Sequence, residues 1–273
     1  MDAWDYYDLA EDQLKAFTRS AVRTKIILRL KDDNMTAGDL GKDMHIRTST
    51  ILHMIKEMIE DGLIIKKDAH YSLTSIGKIQ TILLDELVAA IVLLDQHKDY
   101  WLNHDLSGIP DHLLANIGML TDSKRITSDP TAPLKTLENF IAEVSKSNYI
   151  YGFSSFIAPG FAELIKDCTE RGAKIELILT DSILKIVTED QATLLANLQE
   201  FDNFKLYRFN SDINLSFTVT ESLLALGLYR NDGGVDLGSE ITCMGKSATD
   251  WGYELFKYYK ISSELVKHNR DAK

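Results

Sequence analysis

The sequence predicts a two-domain chain of mixed class: an α+β head, a helical linker, and an α/β body built on a mixed sheet. Three observations predict it. At Gly62 the apolar spacing changes from the three-then-four rhythm of a helix to the alternation of strands. From Tyr149 onward strands and helices follow one another as in a βαβ unit. Between them, Thr127 to Pro133 (TSDPTAP) mixes prolines with small polar residues, a linker signature. With 273 residues the chain exceeds one small domain and suits two. The expected divisions are 1–80 for the head, 81–133 for the linker and 134–273 for the body.

In the head, Leu14 to Leu30 carries Phe17, Val22, Ile26, Ile27 and Leu30 as a core-facing helical stripe. Thr36 to Met44 reads as a short helix with Thr36 as N-cap and Leu40 and Met44 facing inward. A turn at His45 and Ile46 separates it from a longer helix whose apolar stripe is Ile51, Met54, Ile55, Met58 and Ile59. Gly62 suits the left-handed closing position of that helix. Leu63 to Ile65 and Tyr71 to Thr74 then read as two strands, with Lys66 to His70 as a charged turn. Helix, short helix, turn, helix and hairpin make the order of a winged helix-turn-helix, a double-stranded-DNA-binding unit. Ordinary α+β scaffolding is the plainer alternative. The expected DNA-facing residues are Thr36 in the short helix, Arg47, Thr48, Ser49, Thr50, His53 and Lys56 in the major groove, and Lys66, Lys67, His70 and Tyr71 on the wing.

Residues 14–80 resemble the winged-helix domain of archaeal and bacterial ArsR-like regulators. The likeness is carried by Gly62-Leu63-Ile64 and by Leu73-Thr74-Ser75-Ile76-Gly77-Lys78. Where those families place a Ser or Thr cap before the recognition helix this chain has Arg47, so the cap is expected to pass to Thr48, leaving Arg47 for a phosphate or a base edge.

The formal net charge of −11 argues against a nucleic-acid partner, but its distribution argues the other way. Acid gathers in the first dozen residues and in the second half, whereas Lys15, Arg19, Arg23, Lys25, Arg29, Lys31, Lys42, Lys78 and the basic residues named above lie in the head. A modest local excess of this kind predicts salt-sensitive DNA binding by a dimer. Cys168 and Cys243 form neither a disulfide framework nor a metal motif, which fits a reducing cytoplasm; they read as buried small residues, with a redox-sensing pair as the alternative. No apolar run reaches the roughly 20 residues of a membrane span, and MDAWDYYDLAED is not a signal peptide, so no membrane partner is expected.

Ile79 to Leu102 reads as one very apolar helix, either sandwiched inside a domain or half covered by a second copy; the second is favoured because winged-helix proteins bind palindromic sites as dimers. His97, His104 and His112 lack the three-or-four spacing of helical metal ligands, so neither metal nor cofactor is expected, and His104 and Asp105 suit a local cap or linker contact. After a break at Asn103 to Pro110, Asp111 caps another helix.

The body begins with a helix at Leu134 to Val144. It continues with a strand at Tyr149 to Phe153, a helix at Pro159 to Glu170, a strand at Lys174 to Leu179, a helix at Thr188 to Glu200 and a strand at Phe204 to Phe209. Hairpin-type strands follow at Leu215 to Val219, Leu223 to Tyr229 and Val235 to Leu237, and Ala248 to Tyr259 is an amphipathic helix. Ser154 and Ser155 after the first strand, and Thr180 and Asp181 at the end of the second, form a candidate pocket for a small or anionic effector. Plain helix capping by Ser154 and Asp181 is the alternative.

This order resembles half of a phospholipase-D-like domain. Catalysis in that superfamily needs a His with a Lys two positions on, which none of the seven histidines here has; nor is there a Gly-x-Ser-x-Gly elbow or a phosphate loop, so no enzyme is expected. Ser155 to Gly160, Leu226-Gly227-Leu228-Tyr229 with Asp232-Gly233, and Trp251 to Tyr259 resemble the helix-turn-helix regulators of methanogenic archaea, which couple an ArsR-like head to a methanogenesis-regulator type effector domain. The resemblance implies a cytoplasmic, dimeric, ligand-responsive transcription regulator. Its rivals are an enzyme whose head serves assembly and a protein-docking module.

Overall fold

The computed structural model, which describes residues 2–127 and 135–267, opens on a helix that the acidic start of the chain caps for itself. The Asp2 carboxylate accepts from the Trp4 and Asp5 amides while Asp5 accepts from the Asp2 amide, a capping box that launches α1 (Ala3–Arg19). Ser20, in an extended conformation, ends α1 and caps α2 (Ala21–Arg29). The single helix expected over Leu14 to Leu30 is therefore two.

A short strand, β1 (Met35–Thr36), leads into α3 (Ala37–Asp43), whose cap is Thr36, accepting from the Asp39 amide at 3.1 Å. The turn to α4 (Thr48–Glu60) is tight. His45 takes a left-handed conformation and the Ile46 amide donates to the Gly41 carbonyl at 2.9 Å. A Cβ on Gly41 would come within 2.9 Å of the Ile46 carbonyl oxygen, so only glycine lets the turn close this far. The expected shift of the cap to Thr48 does not occur: Arg47 holds the cap position without a side-chain bond, and Thr48 is already helical.

α4 buries Ile51, Ile55 and Met58 against Ile26, Ile27, Leu40 and Ile64, whereas Ile59, expected in the stripe, is 40% exposed. Gly62 closes the helix in the left-handed region as expected. β2 (Ile64–Lys67) and β3 (His70–Leu73) pair antiparallel, with β1 on the other side of β3. The turn proper is Asp68-Ala69, Asp68 being left-handed, so Lys66 and Lys67 lie in the strand instead of at its tip.

One joint explains the two glycine motifs of the head. Thr74 accepts the Gly77 amide at 3.0 Å, donates its hydroxyl to the Gly62 carbonyl at 2.6 Å, and gives its own amide to the Leu63 carbonyl at 2.9 Å. It thereby caps α5 (Ser75–Gln96) and pins that helix to the end of α4. Gly77 is where the Leu63 carbonyl passes: a Cβ there would lie 2.1 Å from that oxygen.

The chain divides into two compact units, Met1–Val88 and Ala89–Lys273, with α5 running across the division. α5 stops at His97 and α6 (Lys98–Asn103) begins, so the one helix expected over Ile79 to Leu102 is broken. The second unit continues with α7 (Asp111–Leu114), a 3-10 turn at Ile117–Leu120, and β4 (Lys124–Thr127). Of the proline-bearing stretch 127–133, only Thr127 lies among the described residues. Residues 81–126, expected as helical linker, form the rest of α5, α6, α7, the 3-10 turn and most of β4. Then come α8 (Lys135–Val144), β5 (Tyr149–Ser154), α9 (Phe161–Glu170), β6 (Lys174–Thr180), α10 (Asp181–Asp190), α11 (Ala192–Leu198) and β7 (Phe204–Phe209). The chain goes on through β8 (Leu215–Val219), β9 (Leu223–Leu228), β10 (Ser239–Met244), α12 (Lys246–Ile261) and β11 (Ser263–Leu265).

The sheet order is β11-β7-β6-β5-β8-β9-β10-β4, with β5, β6 and β7 mutually parallel and the other pairings antiparallel. Mixed α/β class is thus observed, with the parallel strands from the βαβ part and the antiparallel ones from the hairpins. Residues alternate between two cores. Ile178, Phe217, Leu226 and Ile241 pack under α12 and α6, and Ile150, Ile175, Leu177 and Leu206 pack under α9 to α11. β4, β10 and β11 escaped the sequence reading. The expected strand Val235 to Leu237 is a single bridge to Tyr229, and the expected helix Thr188 to Glu200 is α10 and α11, parted at Gln191.

Candidate nucleic-acid interface and ligand cleft

α4 has 13 residues and spans about 20 Å, a length that fits a major groove about 12 Å wide. Its outer face carries Thr48, Ser49, Thr50, His53 and Lys56, all exposed, with Arg47 exposed at its start. No side chain caps the first turn, so its amides and the positive end of the helix dipole point outward beside Arg47. His53 faces Glu57 at 3.4 Å and Lys56 faces Glu60 at 3.9 Å, so both bases have acidic neighbours along the helix.

On the hairpin, Lys66, Lys67 and His70 are exposed. Tyr71 corrects the sequence reading: it is 6% exposed and packs in the head's core, with the Lys66 ammonium over its ring at 5.7 Å. Thr36 is half-buried and its hydroxyl is bonded to Asp39, whose carboxyl that bond holds below the usual carboxylate range. Several basic residues of the head are committed internally. Arg23 is buried against Asp61 at 2.6 Å, Arg29 pairs with Asp43 at 2.7 Å, and Lys31 with Asp85. Arg47, Lys42 and Lys67, on or beside α3, α4 and the hairpin, are exposed and have no acidic ion-pair partner among the described residues.

In the second unit a cleft of about 190 Å³ opens between α8 and the sheet face formed by β5, β8, β9 and β10. Leu137, Phe140, Phe156, Phe161 and Leu177 wall it, and Asp236 and Glu240 supply its charged groups. A second hollow of about 210 Å³ adjoins it toward α9, α10 and α11, sharing Ser154, Phe156 and Leu177. Of the four residues expected to hold an effector, Ser154 lines both, its hydroxyl donating to the Phe156 carbonyl at 2.6 Å. Ser155 is spent on a local network with the Leu215 carbonyl, Ser216 and Tyr229. Thr180 is buried at the cap of α10 with an unpartnered hydroxyl, and Asp181 follows it; neither lines the clefts. The hydrogen bond from Lys185, at 2.7 Å, holds the Asp181 carboxyl below the usual range.

Sequence reasoning missed Asp236 and Glu240. Asp236 faces the His104 Nε2 at 3.0 Å, while His104 Nδ1 donates to the Tyr100 carbonyl at 2.7 Å. Asp105 closes its own turn at Ser107 and receives Asn214. Burial pushes the Glu240 carboxyl up to about 7. The legible signal was β9, where Leu224, Leu226 and Leu228 alternate with Ala225 and Gly227. Cys168 and Cys243 are both buried and free, each in a different core, and burial pushes the Cys243 thiol up to about 11. Among the described residues no group of His, Cys, Asp and Glu is placed to hold a metal, and no helix is long and apolar enough to cross a membrane.

Residues 11–92 match the N-terminal domain, and residues 133–262 the middle domain, of the methanogenesis regulatory protein FilR1. The chain is 35% identical over 251 residues to that protein from Methanothrix harundinacea (strain 6Ac), a match covering 90% of this chain and 56% of the relative. It thus spans about half the length of the curated relative it matches. The two domain models follow one another along most of the sequence, and the chain belongs to the FilR1 family, of which it carries the N-terminal and middle domains. Among solved structures, the archaeal chromatin protein TrmBL2 superposes with a TM-score of 0.42 at 12% identity over 95% of this chain and 99% of its own. The phospholipase D family member Nuc from Salmonella typhimurium gives 0.39 at 10% identity over 53% and 97%. Neither superposition is close enough to assign a function.

Proposed function

We propose that this chain is a DNA-binding transcription regulator whose head is a winged helix-turn-helix of ArsR-like kind and whose second unit senses a small molecule. The observation that carries the reading is the division of α4. Ile51, Ile55 and Met58 are wholly buried in the head's own core, while Arg47 to Thr50, His53 and Lys56 stay exposed. A helix held from behind by its own domain and polar in front can lie against a duplex without unfolding anything. Lys66, Lys67 and His70 on the β2–β3 hairpin would meet the neighbouring phosphates. The family's regulatory name agrees with this role.

The protein would act as a homodimer through α5, where Ile79, Leu83 and Leu87 are exposed on one side of an amphipathic stretch. A molecule in the cleft would shift the spacing of the two recognition helices by binding the two spacings with different affinity. No catalytic step is assigned.

Fluorescence anisotropy on DNA from the chain's own upstream region tests this at rising salt. Affinity should fall steeply with salt. Arg47→Ala and Lys56→Ala should each weaken binding by about tenfold, within the roughly 1–3 kcal/mol of a base or phosphate contact, without altering oligomeric state. No binding at low salt defeats the proposal.

A further inference from the structure

Across β5, β8 and β9 the two faces of the sheet differ in bulk. Toward α12, β9 presents Leu224, Leu226 and Leu228, and β8 presents Leu215, Phe217 and Val219. Toward the cleft the same strands present Ala225 and Gly227, and Ser216 and Thr218. The register sets these small residues side by side: Gly152 opposite Thr218, Thr218 opposite Ala225, and Ser216 opposite Gly227. On β6 the same face carries Leu177 and Leu179, packed as a sheet under helices ordinarily is. The open volume is therefore encoded by residue size over one part of the sheet. A close-packed interior would have filled it.

Glu240 is the second observation. It lines the cleft from β10, and no described side chain or backbone group bonds to its carboxyl. Asp236 is already engaged with His104. No lysine or arginine among the described residues lines the cleft. The rise of the Glu240 carboxyl to about 7 comes from burial alone, with no cation beside it to offset the loss of water. A carboxylate without a basic partner, beside a second one and with no lysine or arginine in the wall, repels an anion and favours a cation.

We propose that this cleft binds a small apolar molecule bearing a protonated amine, with the Glu240 carboxylate as its counter-ion and the small-residue floor and aromatic walls holding the apolar part. The proposal rests on reading the cleft as the effector site, and it turns that site away from the anionic effector expected at Ser154 and Thr180. A volume of about 190 Å³ is of the order of the roughly 150 Å³ apolar cavity known to hold a benzene ring, so the occupant is a small arylalkylamine or short alkylamine.

Calorimetric titration of the full chain with phenethylamine, 2-phenylethanol and phenylacetate tests it, since these share a ring and differ in charge. Phenethylamine should bind at least about tenfold more tightly than either of the others. Glu240→Gln, which keeps shape and removes charge, should cost the amine about tenfold and leave 2-phenylethanol unchanged. Gly227→Leu should abolish binding of both by filling the space; its first added atom meets nothing nearer than the Ser216 carbonyl oxygen at 3.6 Å. Phenylacetate binding as well as the amine, an amine affinity indifferent to Glu240→Gln, or no binding of phenethylamine would each overturn the proposal. DNA affinity measured with phenethylamine present separates the two readings. Amine binding that leaves DNA affinity unchanged keeps the amine site and removes its effector role. Tighter binding of phenylacetate together with altered DNA affinity keeps the effector role and removes the amine.

Discussion

Replacing Gly77 with alanine should break the joint between the hairpin and α5. The added Cβ would stand 2.1 Å from the Leu63 carbonyl oxygen, and the obstacle is backbone, which cannot rotate away as a side-chain tip can. Opening that approach to an ordinary contact needs a shift of about 1 Å, in a joint where overpacking alone costs roughly 1–3 kcal/mol. The same shift pulls the Thr74 amide off the Leu63 carbonyl, now 2.9 Å away, at about 1 kcal/mol more. Gly77→Ala should therefore destabilise the head by about 2–4 kcal/mol. Gly62→Ala is the matched control. Gly62 is left-handed with nothing within 4 Å of its Cβ position, so its cost is conformational and stays near 1 kcal/mol. Urea denaturation followed by far-ultraviolet circular dichroism compares the two. If Gly77→Ala proves no more costly than Gly62→Ala, the steric account of the motif is wrong.

Two further predictions concern buried charge in the second unit. Glu240 is pushed up by burial from the ordinary 4.5 to about 7, so its ionisation opposes folding: the penalty sets in as pH rises above the unfolded value and is complete above the folded one. Glu240→Gln should therefore gain up to about 3 kcal/mol over the parent at pH 8 and almost nothing at pH 4, below the unfolded value. The buried Trp251 reports this unit's unfolding; an equal difference at both pH values would refute the assignment. Glu176 behaves oppositely. Burial would raise its carboxyl, but bonds from Lys260 and Lys174 outweigh it and hold the group below its ordinary value, so their contribution is present above that value and lost as pH falls through the depressed one. Lys260→Met should cost about 1–3 kcal/mol at pH 7 and progressively less toward pH 3. A loss independent of pH would mean that Lys260 acts through its packing on Tyr207 and Phe256.

The head was legible because its signals are local. The α4 stripe, the Thr36 cap and the Gly62 stop each depend on residues a few positions apart, and each appears where the spacing put it, except that Ile59 at the end of the stripe is exposed. The same local logic failed where a neighbour across the fold decided. Tyr71 reads as a wing residue, yet pairing of β3 with both β1 and β2 turns it into the core. Ser154 and Asp181 read as partners at adjacent strand ends, yet Asp181 is taken by Lys185 and Arg208.

The sequence by itself determined which segments are helix and strand in the strongly periodic stretches, where the parallel βαβ part lies, and that the head's bases cluster apart from the acidic body, because these follow from residue order alone. Only the tertiary structure decided that β10 and β4 extend the sheet, that Glu240 stands without a counter-charge, and that Gly77 and Leu63 touch. Those facts depend on residues brought together from distant parts of the chain. No periodicity along a strand records what lies across from it.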